Sequence, residues 1–254
     1  MSAFADHFSG QAADYAVFRP RYPADFISHL AEAGPGRELA WDAGTGSGQA
    51  ATLLAAHFRR VVATDASAEQ IRHATPHPGV VYRVGREDAC GLPDASVDLV
   101  SVAQAAHWFN LERFYREAAR VLKPGGLLAL WCYSLASVDP AVDAVVQAAY
   151  NGRLGAWWPP QRRQVDEGYR GLPFPYPELP PRPWTMECRL SRPDYLGYLG
   201  TWSALAAARR ATGVDPLPEI ARRLAAAWPD PDEIRVVTWR LHLRAGLAPA
   251  RSTG

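Results

Sequence analysis

The stretch "AWDAGTGSGQA", residues 40–50, places Gly44, Gly46 and Gly48 within five positions, two residues after Asp42. A flexible linker would be longer and richer in Gly and Ser. Here the apolar step Leu39-Ala40-Trp41 leads in, and the run Ala50-Ala51-Thr52-Leu53-Leu54-Ala55-Ala56 leads out. The spacing predicts a strand, a tight turn and a helix. That arrangement aims backbone N–H groups and a helix N-terminus at a polar or anionic ligand.

Outward from this turn, strand and helix patterns alternate. Strands are predicted at 39–43, 60–64, 80–84, 97–102 and 127–132, with helices at 49–58, 68–74 and 111–122 between them. The last helix is the clearest. Asn110 is a ready N-cap, Leu111, Phe114, Tyr115, Ala118 and Leu122 share one face, and Lys123-Pro124-Gly125-Gly126 stops it. Short apolar strands alternating with helices predict an α/β fold, a mainly parallel sheet covered on both faces.

After Tyr133 the pattern changes. A helix is predicted over 140–150. Residues 155–184 are dense in proline and hold three tryptophans. Proline blocks helix and ladder hydrogen bonds, so this stretch is expected to be an ordered loop or lid without regular structure. A strand follows at 185–190, then helices near 192–210 and 217–228, and an alternating strand at 234–243. The chain reads as one domain over 1–254. Its parts are a cofactor-covering segment (1–35), a cofactor-binding core (36–135), a lid with substrate-binding insertions (136–232), and a last strand with its tail (233–254).

Composition narrows the function. The chain has 254 residues, and 27 Lys and Arg balance 26 Asp and Glu. No overall basic field draws in nucleic acid or an acidic membrane. No run of eighteen apolar residues predicts a membrane span, and the first residues lack the basic start and apolar centre of a signal peptide. Cys90, Cys132 and Cys188 lie far apart, without metal-ligand spacing. No metal site is predicted, and a cytoplasmic location with reduced thiols is expected.

Two ligands compete for the glycine turn. Gly46-Ser47-Gly48-Gln49-Ala50-Ala51 satisfies a loose dinucleotide fingerprint, which admits a nicotinamide-dependent oxidoreductase. No Gly-Lys-Ser/Thr follows, so a Walker-type phosphate loop is excluded. Asp42 decides between the two: a carboxylate at the end of the first strand repels a pyrophosphate and attracts an ammonium group. Asp65 closes the second strand, where an acid hydrogen-bonds a ribose diol. Asp88 follows the third strand and is placed to accept from an exocyclic adenine amine. Amino-acid cation, ribose and adenine at three successive strand ends describe S-adenosylmethionine.

The motifs "DAGTGSGQ", "ATDAS", "GREDACGLPDASVDLVSVAQAAHWF" and "EAARVLKPGGLLAL" resemble, in order, those of class I S-adenosylmethionine-dependent methyltransferases. Within these the chain resembles the small-molecule branch that includes trans-aconitate methyltransferase-like proteins. The amino-terminal "FSGQAADYAVFRPRYP" is similar to that branch too. The resemblance covers residues 4–135 well. It implies a Rossmann-like, doubly wound, seven-stranded sheet, mostly parallel, whose last strand runs antiparallel, with a lid inserted after the fifth strand. It further implies that Asp42, Gly44, Gly46 and Gly48 form the methionine-side wall. Asp65 and Ala66 hold the ribose, Asp88 and Ala89 the adenine, and Gln104 the methionine part. Tyr15 and Arg19 match the segment covering the cofactor, with Arg19 placed for the methionine carboxylate.

Methyl transfer from a sulfonium is an in-line displacement in which the protein aligns the nucleophile. A general base is needed only for a nucleophile that arrives protonated. His107, in "QAAHWFN" past the fourth strand, is the candidate catalytic base, and its alternative is a histidine that only shapes the substrate pocket. His7, His29, His57, His73, His77 and His242 read as surface or packing residues. Trp108 and Phe109 follow His107 directly. Trp157, Trp158, Trp184 and Trp202 fall in the insertions that roof the pocket in this fold, and Trp202 is the preferred substrate contact. Cys90 reads as filler. Arg162-Arg163 reads as an exposed pair or, alternatively, as a reader of an acidic substrate. A methyltransferase acting on a small molecule is the favoured function, as a monomer or homodimer. A non-methylating user of the same cofactor, such as a cyclase, is the alternative. Nucleic-acid methylation is disfavoured: the chain has no basic stripe and no Asn/Asp-Pro-Pro-Tyr/Phe motif.

Overall fold

A computed structural model describes residues 20–250. Seven strands form one sheet: β1 Leu39–Ala43, β2 Arg60–Asp65, β3 Val80–Val84, β4 Val97–Ala103, β5 Leu122–Tyr133, β6 Trp184–Leu190 and β7 Arg235–Leu247. Their order is β3-β2-β1-β4-β5-β7-β6. The first five pair in parallel, and β7 lies antiparallel between β5 and β6. The order reverses between β1 and β4, so the carboxyl ends of these two strands flank the crevice where open α/β sheets bind ligands.

The helices are α1 Ala24–Ala33, α2 Gln49–Leu54, α3 Ala68–Arg72, α4 Leu111–Val121, α5 Pro140–Ala148, α6 Arg162–Asp166, α7 Arg192–Gly200, α8 Ser203–Thr212 and α9 Leu217–Ala227. They cover both faces. One core joins Phe26, Leu30 and Leu54 of α1 and α2 to Tyr195, Leu205 and Leu224 of the carboxyl-terminal helices. The other packs Phe114, Ala118 and Val121 of α4 with Val165 and Tyr169 against Trp41, Val100 and Leu130. Beneath the sheet, buried Asp98 accepts from the N–H groups of Glu38 (2.9 Å) and Leu39 (3.0 Å) and pairs with Lys123 Nζ at 2.7 Å, which fixes the entry of β1.

Five expectations need correction. β5 begins at Leu122, not residue 127, because the supposed stop is held as a bulged strand. The Gly125 N–H donates to Ala248 O (3.0 Å), and the Ala248 N–H donates to Gly126 O (2.8 Å). α2 is four residues shorter than predicted, since His57 bonds back three residues instead of four. The helix over 192–210 is two: Trp202 takes an extended backbone, ψ 129°, between α7 and α8. The proline-rich stretch, expected to lack regular structure, contains α6. Beyond α6 it is strapped to the sheet where Leu179 N–H donates to Ala245 O (2.8 Å) and Tyr115 Oη to Pro173 O (2.7 Å). Trp184 lies on β6 against Phe26 and His29 of α1, and so belongs to the core and not to a pocket roof. Among the described residues no helix is long and apolar enough to cross a membrane, and no three His, Cys, Asp or Glu side chains are grouped as metal ligands.

Candidate active site

The glycine turn sits at the carboxyl end of β1. The N–H groups of Gly44 and Thr45 both donate to Thr64 O of β2 (2.8 and 3.0 Å), which folds the chain sharply over the sheet edge. Gly44, Gly46 and Gly48 have φ of 68°, 55° and 86°, a left-handed region that disfavours other residues. Their surroundings differ. A Cβ on Gly44 would meet Ala105 Cβ at 2.6 Å, and one on Gly48 would collide with the Tyr82 hydroxyl. Among the described residues, a Cβ on Gly46 would meet only Gln70 Oε1, at 3.8 Å. Two glycines are therefore required by the protein's own packing, and Gly46 alone opens outward.

Asp42 lies beneath this turn and is fully buried. Its oxygens accept from Thr45 Oγ1 (2.6 Å) and Ser101 Oγ (2.7 Å). Burial raises its pKa to about 6 against the pull of those two hydroxyls. Where the sequence suggests a carboxylate on the site's wall, register places Asp42 opposite Ser101 inside the sheet, with Thr45 against its other oxygen. Thr45 and Ser101 were missed by sequence reasoning, since a lone hydroxyl carries no pattern.

Asp65 ends β2 half-buried. Its Oδ2 accepts the Gly46 N–H (2.9 Å) and its Oδ1 the Ser67 N–H (2.8 Å). These bonds fix the orientation of the carboxylate at the strand end. Ala66 and Ala89 are exposed. Asp88 follows β3 within an ion-pair group. Its oxygens face Arg86 Nε (3.2 Å) and Arg113 Nη1 (3.6 Å), because the two cations draw it toward the outer side of α4. Gln104 follows β4 with φ 55°, an uncommon conformation for a non-glycine residue. Its N–H donates to Trp131 O (2.9 Å) and its Nε2 to Tyr133 O (3.2 Å), which ties the end of β4 to β5. Tyr15 and Arg19 lie outside the described residues. Pro20, where description begins, accepts from Gln49 Nε2 (2.8 Å) at the start of α2.

His107 lies in the short turn Ala106–Trp108. Its Nδ1 is 2.9 Å from the hydroxyl of Tyr169. Tyr169 is fully buried and itself left-handed, φ 60°, directly after Gly168. Burial lowers the His107 pKa to about 3, and the Arg162 cation adds to this. An imidazole so weakly basic is a poor acceptor for a proton leaving a neutral nucleophile, which argues against the base role expected from the sequence. Trp108 is half-buried and its ring stands 4.8 Å from His107. Trp202 is buried with Tyr150 (5.5 Å) and Trp158 (5.5 Å) around it. Arg162 and Arg163 part company. Arg163 is exposed and pairs with Glu167 at 2.6 Å, whereas Arg162 lies over the rings of Tyr150 and Trp158. Sequence reasoning missed Tyr150 and Tyr169.

The donor set suits a ligand with a ribose and an amino-acid cation. An open glycine, a fixed strand-end carboxylate and a buried acid surround the turn, and residues 43–50 contain no Lys or Arg to meet a pyrophosphate. The strand order, the switch point between β1 and β4, and the acid-glycine turn define an α/β enzyme that binds a nucleoside-bearing cofactor.

Comparison with known proteins narrows this class. Residues 41–130 match the family described as "Methyltransferase domain". A chain of Dictyostelium discoideum, provisionally described as a methyltransferase, is 36% identical over 233 residues, covering 90% of this chain and 89% of its own. A solved structure from Anaeromyxobacter dehalogenans, provisionally described as a type II methyltransferase, is 50% identical. It superposes with a TM-score of 0.86 over 92% of this chain and all of its own. A shorter match, 40% identical over 126 residues, joins 48% of this chain to 50% of an uncharacterized methyltransferase of Mycobacterium tuberculosis. The chain belongs to the S-adenosylmethionine-dependent methyltransferases with the Rossmann-like fold.

Proposed function

We propose that the acceptor is a small molecule, seated between the turn that carries His107 and the aromatic group of Tyr150, Trp158 and Trp202. The observation that carries this reading is the position of α6. Cys132 Sγ, at the end of β5, lies 3.8 Å from Val165 O, so the insertion folds down on the carboxyl edge of the sheet and narrows the approach to it. A macromolecular acceptor would need a broad, open approach instead.

When bound, S-adenosylmethionine supplies a sulfonium methyl group for in-line displacement. Asp65 accepts from the ribose hydroxyls, Gly46 leaves the space that a side chain would fill, and Asp42 supports the amino-acid end through Thr45. His107, held neutral against Tyr169, orients the acceptor and excludes water with Trp108. Isotope-labelled S-adenosylmethionine, incubated with the protein and an extract of the source cell, is expected to label low-molecular-weight products. Label confined to protein or nucleic acid overturns the reading.

Once an acceptor is in hand, its turnover should show no step near pH 6.5, since His107 does not titrate there. His107→Asn should keep the single-turnover rate within about tenfold, whereas removing a general base costs about a hundredfold or more. A hundredfold loss at saturating acceptor would restore His107 as the base.

A further inference from the structure

β6 is an outer strand of the sheet. It pairs with β7 along Trp184–Leu190, and among the described residues its other edge has no ladder partner. A free edge offers unpaired N–H and C=O groups to another strand, and proteins commonly blunt it with a proline or a bulge. The seven residues of β6 contain no proline, and their register against β7 is unbroken. Its two charges, Glu187 and Arg189, are both exposed on one face, and among the described residues neither has an ion-pair partner. Met186 on the other face is buried, and Cys188 and Leu190 pack half-buried against the core.

The order of these side chains, Met186-Glu187-Cys188-Arg189-Leu190, complements itself about its centre. When two copies of β6 run antiparallel about a two-fold axis at Cys188, each Glu187 falls opposite the second copy's Arg189, and each Met186 opposite its Leu190. Side chains directly opposite each other stand about 4.5–5.5 Å apart at Cβ, within reach of an ion pair. An axis at Glu187 or at Arg189 sets like charges face to face instead. An axis between two residues puts the charged face of one copy on the apolar side of the other. The far edge of the sheet gives the contrast: β3 carries Arg83 and no acid, so a second copy there finds no opposite charge.

We propose that β6 is the interface through which two copies of this chain join, antiparallel and two-fold about Cys188, into one continuous sheet. A two-fold interface uses the same patch on both copies, so it closes at a dimer. β5 and β7 separate β6 from the crevice between β1 and β4, and each copy keeps its glycine turn open.

Sedimentation equilibrium of the full-length protein at micromolar concentration is expected to give twice the mass of the chain. Glu187→Arg or Arg189→Glu turns two attractions per interface into two repulsions, and each should weaken dimerisation about tenfold or more. The double variant Glu187→Arg/Arg189→Glu should restore it. Circular dichroism should find the fold unchanged in all three, since both side chains are exposed. Dibromobimane, a short thiol cross-linker, gives a readout that needs no charge variant. Cys90 and Cys132 are buried, so Cys188 is the thiol within its reach. The unaltered protein should form covalent dimers, and Cys188→Ser should not. A dimer indifferent to either single reversal, or a folded double variant that stays monomeric, overturns the interface. So does the absence of a Cys188 cross-link, which decides alone if a charge variant does not fold. A monomer throughout the micromolar range overturns it in favour of cover by the chain's own residues around Arg21, whose N–H meets the Cys188 sulfur.

Discussion

The Gly46→Val protein is expected to fold and to lose affinity for S-adenosylhomocysteine by about a hundredfold or more, the scale of forcing extra atoms into a filled site. A valine at φ 55° is strained by about 1–2 kcal/mol, which a protein of this size tolerates. Among the described residues it meets little else, since the nearest atom to the new Cβ is Gln70 Oε1 at 3.8 Å. Its branches would occupy the space assigned to the ligand. The neighbouring glycines give the contrast. Gly44→Val drives a Cβ to 2.6 Å from Ala105 Cβ, and Gly48→Val drives one into the Tyr82 hydroxyl, so both should unfold or express poorly. Calorimetry for binding and circular dichroism for fold separate the three. Unchanged affinity in folded Gly46→Val would move the cofactor away from this turn.

Stability should carry the mark of Asp42. In the unfolded chain its carboxyl loses its proton near pH 4, and in the folded protein only near pH 6, because the charge is buried. Between those values the folded state binds more protons. Asp42 therefore makes the protein less stable as pH rises through this window, by about 3 kcal/mol in all, and the effect is flat above it. Asp42→Asn removes this contribution. Urea unfolding of both proteins at pH 4 and pH 7 should find the variant gaining about 2 kcal/mol on the wild type between the two. A stability difference that does not change with pH would show that Asp42 is not buried as described. Among the described residues, the groups acting on Asp42 are hydroxyls, a backbone N–H and the Asp65 carboxylate, with no cation among them. A buried charge kept without a cation at a binding turn is what a ligand's ammonium group would relieve, and Asp42→Asn should weaken S-adenosylhomocysteine binding as it stabilises the fold.

The sequence alone determined the sheet's first five strands, the turn and the strand-end acids, because these are local: period, cap and glycine spacing all act within a few residues. β1 and β3 fall at the predicted residues, and Asn110 caps α4 as expected, accepting from Arg113 N–H at 3.2 Å. Tertiary contact alone decided what each site residue can do. Asp42 and Asp65 end adjacent strands of one sheet and look alike in sequence. One is sealed under Thr45 and Ser101, and the other holds the N–H groups of Gly46 and Ser67 at a half-open edge. His107 reads in sequence as a base or a pocket-shaping residue, and its burial beside Tyr169 and the Arg162 cation, which lowers its pKa to about 3, comes from distant residues. Arg162 and Arg163 are neighbours in the chain, yet helical geometry turns one outward to Glu167 and the other inward over Tyr150 and Trp158. Proton affinity and charge exposure depend on what packs around a group, and those neighbours come from distant parts of the chain, where no short-range pattern reaches.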